Sequence, residues 1–170
     1  MKICISAGHT KSGAGSGAVY EKYKESEITR AVASELIVQL RRKGHNVINA
    51  TIDKALTQND YLRKQVTIAN DSGAELFVSI HLNAGGGYGC EAYTWKGQKV
   101  KQAVKSCEEL SNLGFYNRGV KDGSGLYVIK HTKMTAILIE LFFIDDKTDL
   151  ALYNIRGKEA LAKALLKAIV

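Results

Sequence analysis

A layered α/β domain, with helices on both faces of a mostly parallel sheet, is the fold class that this sequence predicts. Three observations carry it. Short apolar segments alternate with amphipathic helical stretches along the chain. The segment Glu75 to His81 is apolar at successive positions, as a strand covered on both faces must be. No repeat, low-complexity tract or linker divides the 170 residues, a length that suits one domain around one core, so residues 1–170 are read as a single unit.

The elements follow in order. Ile3 to Ser6 reads as a short buried strand running straight into Gly8-His9, and glycines and small residues from Ser12 to Gly17 describe an irregular loop. From Glu25, the apolar residues Ile28, Ala31, Val32, Leu36 and Leu40 recur at helical spacing, and Gly44 follows the cationic last turn in the place of a cap. Val47-Ile48-Asn49 is a second strand, Asn59 to Asn70 a second helix with Gly73 at its end, and Glu75 to His81 the central strand. Beyond the glycine-rich turn Gly85–Gly89, the pattern predicts a strand at Cys90 to Trp95 and a helix from about Gln98 to Asn112. Leu126 to Ile129 and Ala136 to Leu141 read as strands, and Lys158 to Ile169 as the final helix.

Composition narrows the class of function. A hydrophobic content of 45% with 24% charged residues is that of an ordinary globule, neither disordered nor membrane-spanning. Met1 to Ser6 is too short an apolar run for a signal peptide's core and has no cleavage site, so neither an export signal nor membrane insertion is expected. Cys4, Cys90 and Cys107 are an odd set at wide spacing without a C-x-x-C pair, and are read as reduced thiols in or near the core. The net charge of +7 favours an anionic partner, for which nucleic acid, phosphate-rich wall polymers and acidic membrane surfaces all qualify, although most of the basic residues read as solvated helix faces. The basic residues are scattered over several helices without an aromatic-studded stripe, so no nucleic-acid partner is expected.

Two histidines each end a strand, His9 after Ile3-Cys4-Ile5-Ser6-Ala7-Gly8 and His81 after Leu76-Phe77-Val78-Ser79-Ile80. Carboxyl ends of strands form the ligand-binding edge of an open α/β sheet, so neighbouring parallel strands bring the two imidazoles to one point, as a metal requires. A catalytic zinc takes a third protein ligand, and the start of the first helix offers Glu21, Glu25 and Glu27. Helix phase alone does not choose between Glu25 and Glu21. Acids are also common there for their interaction with the helix dipole. Glu140 stands inside the otherwise apolar run Thr135 to Phe143, where a carboxylate is placed only when paired or functional. Beside a metal it can take a proton from water and hand it to a leaving amine.

Other polar residues have ordinary explanations as well. His45 after a helix-ending glycine and His131 in a polar loop read as surface residues, His131 being the nearer of the two to a substrate. Asn83 can orient His81 or its own loop, and Arg118 can hold an anionic group. The loop Gly13-Ala14-Gly15-Ser16-Gly17 is not a dinucleotide site, because G-x-G-x-x-G fails at its last position and the helix starts only at about Glu25.

In this order, Gly8-His9, Glu25 opening a helix, Ser79-Ile80-His81-Leu82-Asn83-Ala84 and Ile139-Glu140-Leu141-Phe142-Phe143 resemble the zinc-dependent type 3 N-acetylmuramoyl-L-alanine amidases. The similarity is greatest to catalytic domains of phage endolysins that attack Gram-positive bacteria, and it covers essentially the whole chain. It implies a twisted six-stranded sheet flanked by helices, one zinc ion (Zn2+), and peptidoglycan as substrate, cut between N-acetylmuramic acid and L-alanine. His9, Glu25 and His81 would be the metal ligands and Glu140 the catalytic acid/base. The family's spacing to the Gly-His after the helix, here Gly44-His45, selects Glu25 over Glu21. Two positions depart from the common pattern: the loop after His9 lacks the usual aspartate-glycine context, and Thr29 replaces a frequent asparagine. The resemblance also implies accumulation in the host cytoplasm until lysis, with passage to the wall through a holin-type pore. A bacterial autolysin or sporulation amidase, another zinc peptidase or deacetylase, and an inactive wall-binding module are the alternatives. Since ligating imidazoles must be neutral, activity is expected to fall below about pH 6.

Overall fold

The computed structural model describes residues 1–170, and its sheet is organised around the first strand, β1 (Lys2–Ala7). Ile3, Ile5 and Ala7 point to one face and Cys4 to the other, so β1 is buried on both sides. A small hairpin, β2 (Val19–Tyr20) and β3 (Tyr23–Lys24), then feeds helix α1 (Glu25–Arg42). Next come β4 (Asn46–Asn49), α2 (Gln58–Ser72), β5 (Leu76–Asn83), β6 (Cys90–Thr94), α3 (Lys101–Ser111), β7 (Asn117–Asp122), α4 (Tyr127–His131), β8 (Thr135–Phe143) and α5 (Lys147–Ile169). Thr57 caps α2 by accepting from the Asp60 N–H, and Gly73 ends it in the left-handed conformation, φ +64°.

The six-stranded sheet has the order β4-β1-β5-β8-β6-β7. The first four strands in that order are mutually parallel; β6 pairs antiparallel with β8, and β7 runs parallel to β6. The larger core lies under α1, α3 and α5, and the smaller one joins α2 and α4 to the opposite face through Val66, Ala69, Val128, Ile129 and Phe77. No helix is long and apolar enough to cross a membrane.

Three expectations need correction. Leu126–Ile129 is not a strand: Tyr127–His131 forms a single turn and a half of helix that buries Val128 and Ile129 beside α2. Its apolar run has strand propensity, and the tertiary contact overrides it. Strand β7 was not anticipated, because Asn-Arg-Gly-Val-Lys-Asp is a mostly polar edge strand with no apolar alternation. The final helix follows Gly157 as expected, but a further helical segment from Lys147, joined to it across the break at Gly157 (φ +73°), was not anticipated.

The end of β8 is tied down by a buried acid. Asp149 accepts the N–H of Phe143 at 2.9 Å and of Gly89 at 2.7 Å, which fixes the entrance to β6 beside the exit of β8. Gly89 has no alternative there, since a Cβ would lie 2.1 Å from the Tyr116 carbonyl oxygen.

Candidate active site

At the carboxyl end of β1 the chain turns sharply at His9, whose φ of +68° is uncommon for a residue with a side chain. Three interactions hold it there: its N–H donates to the Tyr61 hydroxyl, its ring stacks on Tyr61 at 6.2 Å, and Nδ1 lies 2.9 Å from the Gly15 carbonyl. That carbonyl only accepts, so in the neutral ring Nδ1 carries the hydrogen and Nε2 keeps its lone pair. Nε2 faces Glu25 Oε1 at 3.1 Å. One strand away, His81 presents Nδ1 to the same oxygen at 3.2 Å, with Nε2 at 3.1 Å from Ser79 Oγ.

Glu25 is the first residue of α1 and is 2% exposed. Its carboxylate accepts the N–H of Leu82 on Oε1 and of Ala18 on Oε2, both at 3.0 Å, so it is locked between β5 and the approach to the β2–β3 hairpin. Burial pushes its carboxyl up, but hydrogen bonds and charge from His81 and His9 outweigh burial and hold it well below the usual carboxylate range. Burial pushes the His81 imidazole down, against the opposing pull of Glu25, which favours the neutral ring a metal needs.

The ligand atoms of His9, Glu25 and His81 all lie within 4.8 Å of one another. Around a tetrahedral zinc with bonds of about 2.0–2.1 Å, ligand atoms sit about 3.3 Å apart. The measured separations of 3.1 and 3.2 Å match that spacing. The second nitrogen of each imidazole is engaged by a protein oxygen, as in metal-binding histidines. The donor set therefore fits one zinc ion.

Glu140 enters from the next strand, opposite His81 in the β5–β8 register and opposite Glu91 in the β6–β8 register. Its Oε2 is buried without a hydrogen-bond partner. Burial, then the charges of Glu25 and Glu91, push its carboxyl well above the ordinary value. A carboxyl raised in this way keeps its proton more readily than an ordinary glutamate, which suits it to acid/base chemistry.

Glu91 is the residue that sequence reasoning missed. It is 3% exposed, and its carboxylate accepts from Asn83 Nδ2 (2.7 Å), the Tyr93 hydroxyl (2.7 Å) and Arg118 Nε (2.8 Å). The signal was present, since a glutamate between Cys90 and Ala92 in a buried strand meets the criterion applied to Glu140. Asn83 makes no hydrogen bond to His81; it holds Glu91 and its own loop through the Ala84 N–H. Arg118 spends its Nε on Glu91 and lies 5.0 Å over the Phe143 ring. His131 ends α4, near the start of β8 and so at the opposite edge of the sheet from Glu140. Glu21 sits in the β2–β3 turn and Glu27 pairs with Lys24 at 3.0 Å, so neither reaches the triad. Thr29, the other departure from the pattern, is buried and donates to the Gly8 carbonyl at 3.1 Å, bracing the turn that carries His9.

Gly17 packs directly on the site. A Cβ there would lie 2.6 Å from the His9 ring and 2.9 Å from Glu25 Oε2, and its φ is +81°. Gly17→Ala is expected to weaken metal binding at least tenfold, comparable to loss of a ligand's supporting contact. It should also cost about 1–2 kcal/mol of stability through the left-handed backbone. Chelator competition and urea unfolding measure the two; unchanged metal affinity would contradict the close packing.

A family profile described as N-acetylmuramoyl-L-alanine amidase matches residues 3–170. The N-acetylmuramoyl-L-alanine amidase CwlM of Bacillus licheniformis is 32% identical over 153 residues, covering 88% of this chain and 59% of that protein. The endolysin of Bacillus phage SPP1 is 30% identical over 161 residues, covering 88% of this chain and 57% of the phage protein. The chain thus spans less than two thirds of the length of either curated relative. Among solved structures, the catalytic domain of the CD27L endolysin targeting Clostridia Difficile superposes with a TM-score of 0.90 at 32% identity, over 99% of this chain and 96% of that one.

Proposed function

The chain belongs to the N-acetylmuramoyl-L-alanine amidase family, and from that premise we propose that it is a zinc-dependent hydrolase of peptidoglycan, cutting the amide between N-acetylmuramic acid and L-alanine. The observation that carries this reading is the convergence of His9, Glu25 and His81 on one point, with the partnerless carboxyl of Glu140 one strand away.

His9, Glu25 and His81 would hold the metal. When bound, zinc supplies a Lewis acid that polarises the scissile carbonyl and acidifies the attacking water, and its charge offsets that of Glu25 near Glu140. Glu140 takes the proton from that water as the C–O bond forms, then delivers it to the L-alanine nitrogen as the C–N bond breaks. The products are the free carboxyl group of the muramic acid and a free amine on the stem peptide. Asn83, Tyr93 and Arg118 fix Glu91, which keeps a second carboxylate beside Glu140 and favours the protonated form of Glu140 that gives its proton to the leaving amine.

The similarity to the CD27L catalytic domain and to the SPP1 endolysin supports a lytic role for a phage or prophage, with delivery from the cytoplasm through a pore made by another protein. The equal identity to CwlM favours the second reading, a bacterial wall amidase. Expression in a Gram-positive host separates them: lysis that needs a co-expressed membrane pore supports the endolysin.

The activity is tested on purified Gram-positive walls by turbidity loss and by new amine on L-alanine, with wild type and Glu140→Ala at equal, verified zinc content. Release by wild type only is expected. Cuts inside the stem peptide, released acetate, or wall binding without product would each replace the amidase reading.

A further inference from the structure

A cavity of about 410 Å3 opens at the edge of the sheet opposite the triad, between the turn that follows β6 and the segment joining α4 to β8. Its walls include Trp95, Gln98, Lys130, Thr132, Lys133 and Thr135. The proposed hydrolysis uses none of them, because β8 starts here and carries Glu140 near its far end.

The turn is built to display its side chains. Trp95, the only tryptophan in the chain, is 40% exposed, and Lys96 Nζ lies 6.0 Å from its ring centroid. Lys96 has φ +52°, a left-handed conformation shared among side-chain-bearing residues only with His9 and Glu21. Such strain persists only where surrounding contacts impose it. Here the Lys96 N–H donates to Ser124 Oγ at 3.0 Å, and the Thr94 hydroxyl donates to the Gln98 carbonyl at 2.7 Å.

Two of the residues that line the cavity, Lys130 and Lys133, are cationic, and no carboxylate lines it. Residues 94–101 and 121–136 carry six lysines and one carboxylate, Asp122, whose Oδ1 accepts from the N–H and hydroxyl of Ser124. Lys96, Lys121, Lys130 and Lys133 are exposed and have no carboxylate within 4.0 Å. Unneutralised cations around a concave wall focus positive potential and gather anions. A single tryptophan offers no run of stacking platforms for successive bases, whereas Gln98, Thr132 and Thr135 offer hydrogen bonds to hydroxyl groups. We propose that this groove is a second binding site, for the phosphodiester-linked polyol chains of Gram-positive walls, which anchors the domain while the opposite edge cuts. The inference rests on the cell wall being the target.

Trp95 fluorescence tests it without relying on activity. Titration with poly(glycerol phosphate) is expected to give a saturable change that weakens with added salt. Lys130→Gln/Lys133→Gln should raise the apparent Kd by roughly tenfold, as loss of two cations from a polyanion site does. The charge-matched Lys158→Gln/Lys163→Gln should leave it unchanged, and both variants should still hydrolyse a soluble muropeptide. The proposal is overturned if polymer leaves the fluorescence unchanged, if the two double variants weaken binding equally, or if duplex DNA or anionic vesicles bind as well as the polymer. It also fails if Lys130→Gln/Lys133→Gln loses muropeptide hydrolysis. Should wild type itself fail to cut the muropeptide, the amidase reading falls while the titration still decides the groove.

Discussion

Glu140→Gln is expected to abolish turnover while making the metal-free protein more stable at neutral pH. Loss of a positioned acid/base costs about 10²–10⁴-fold in rate. The stability effect has the opposite sign because the carboxyl is held well above its ordinary value of 4.5 by burial, then by Glu25 and Glu91. A group whose folded pKa is raised releases its proton more readily in the unfolded chain, so above pH 4.5 it favours unfolding. Glutamine keeps the shape and removes that penalty. Thermal unfolding in chelator should give a higher Tm for Glu140→Gln at pH 7, with the difference closing as the pH falls below 4.5. A Tm gain that persists at pH 3, or a variant retaining more than a tenth of wild-type activity, would contradict the role given to Glu140.

Glu25→Gln should lower both the metal affinity and the stability of the metal-free protein. Removing the charge of a ligand should reduce zinc affinity by more than the ~10–100-fold that losing a ligand's hydrogen-bond partner costs, and activity should fall with it. In the metal-free protein Glu25 is held below 4.5, since the histidine hydrogen bonds outweigh burial. Its contribution to stability is therefore present above pH 4.5 and is lost as the pH falls through the folded value. Glu25→Gln should accordingly lower Tm at pH 7. His81 adds an acid limb: burial depresses its imidazole below 6.5, so the unfolded chain takes the proton first and stability declines as the pH drops below 6.5. Protons compete with the metal for the same nitrogens, so zinc retention and activity should fall together below about pH 6. Dialysis at graded pH with zinc analysis checks this; full metal occupancy at pH 5 would contradict imidazole ligation.

Much of this was legible in the chain itself. Residues on one strand share its periodicity, so a histidine at the end of a buried run, or a glutamate within one, is visible without a fold, and His9, His81 and Glu140 were found that way. The alternation of strands and helices likewise gave the α/β layering and put both histidines at one edge. Glu91 obeyed the same rule and was passed over. The edge strand β7 and the short helix α4 were hidden, since a polar edge strand lacks alternation and a five-residue helix carries too little pattern to outweigh local propensity.

Sequence thus determined which residue types stand at strand ends and in apolar runs, because burial and periodicity are local properties. Helix phase left the third carboxylate open; the family resemblance pointed to Glu25, and the tertiary structure brings that residue to the two histidines. Glu21, Glu25 and Glu27 are near-equivalents in the chain, but only Glu25 meets the N–H groups of Ala18 and Leu82, the second supplied by a strand 57 residues away. It was likewise the antiparallel placement of β6 that set Glu91 opposite Glu140, and strand register depends on pairing partners that no local stretch of sequence contains.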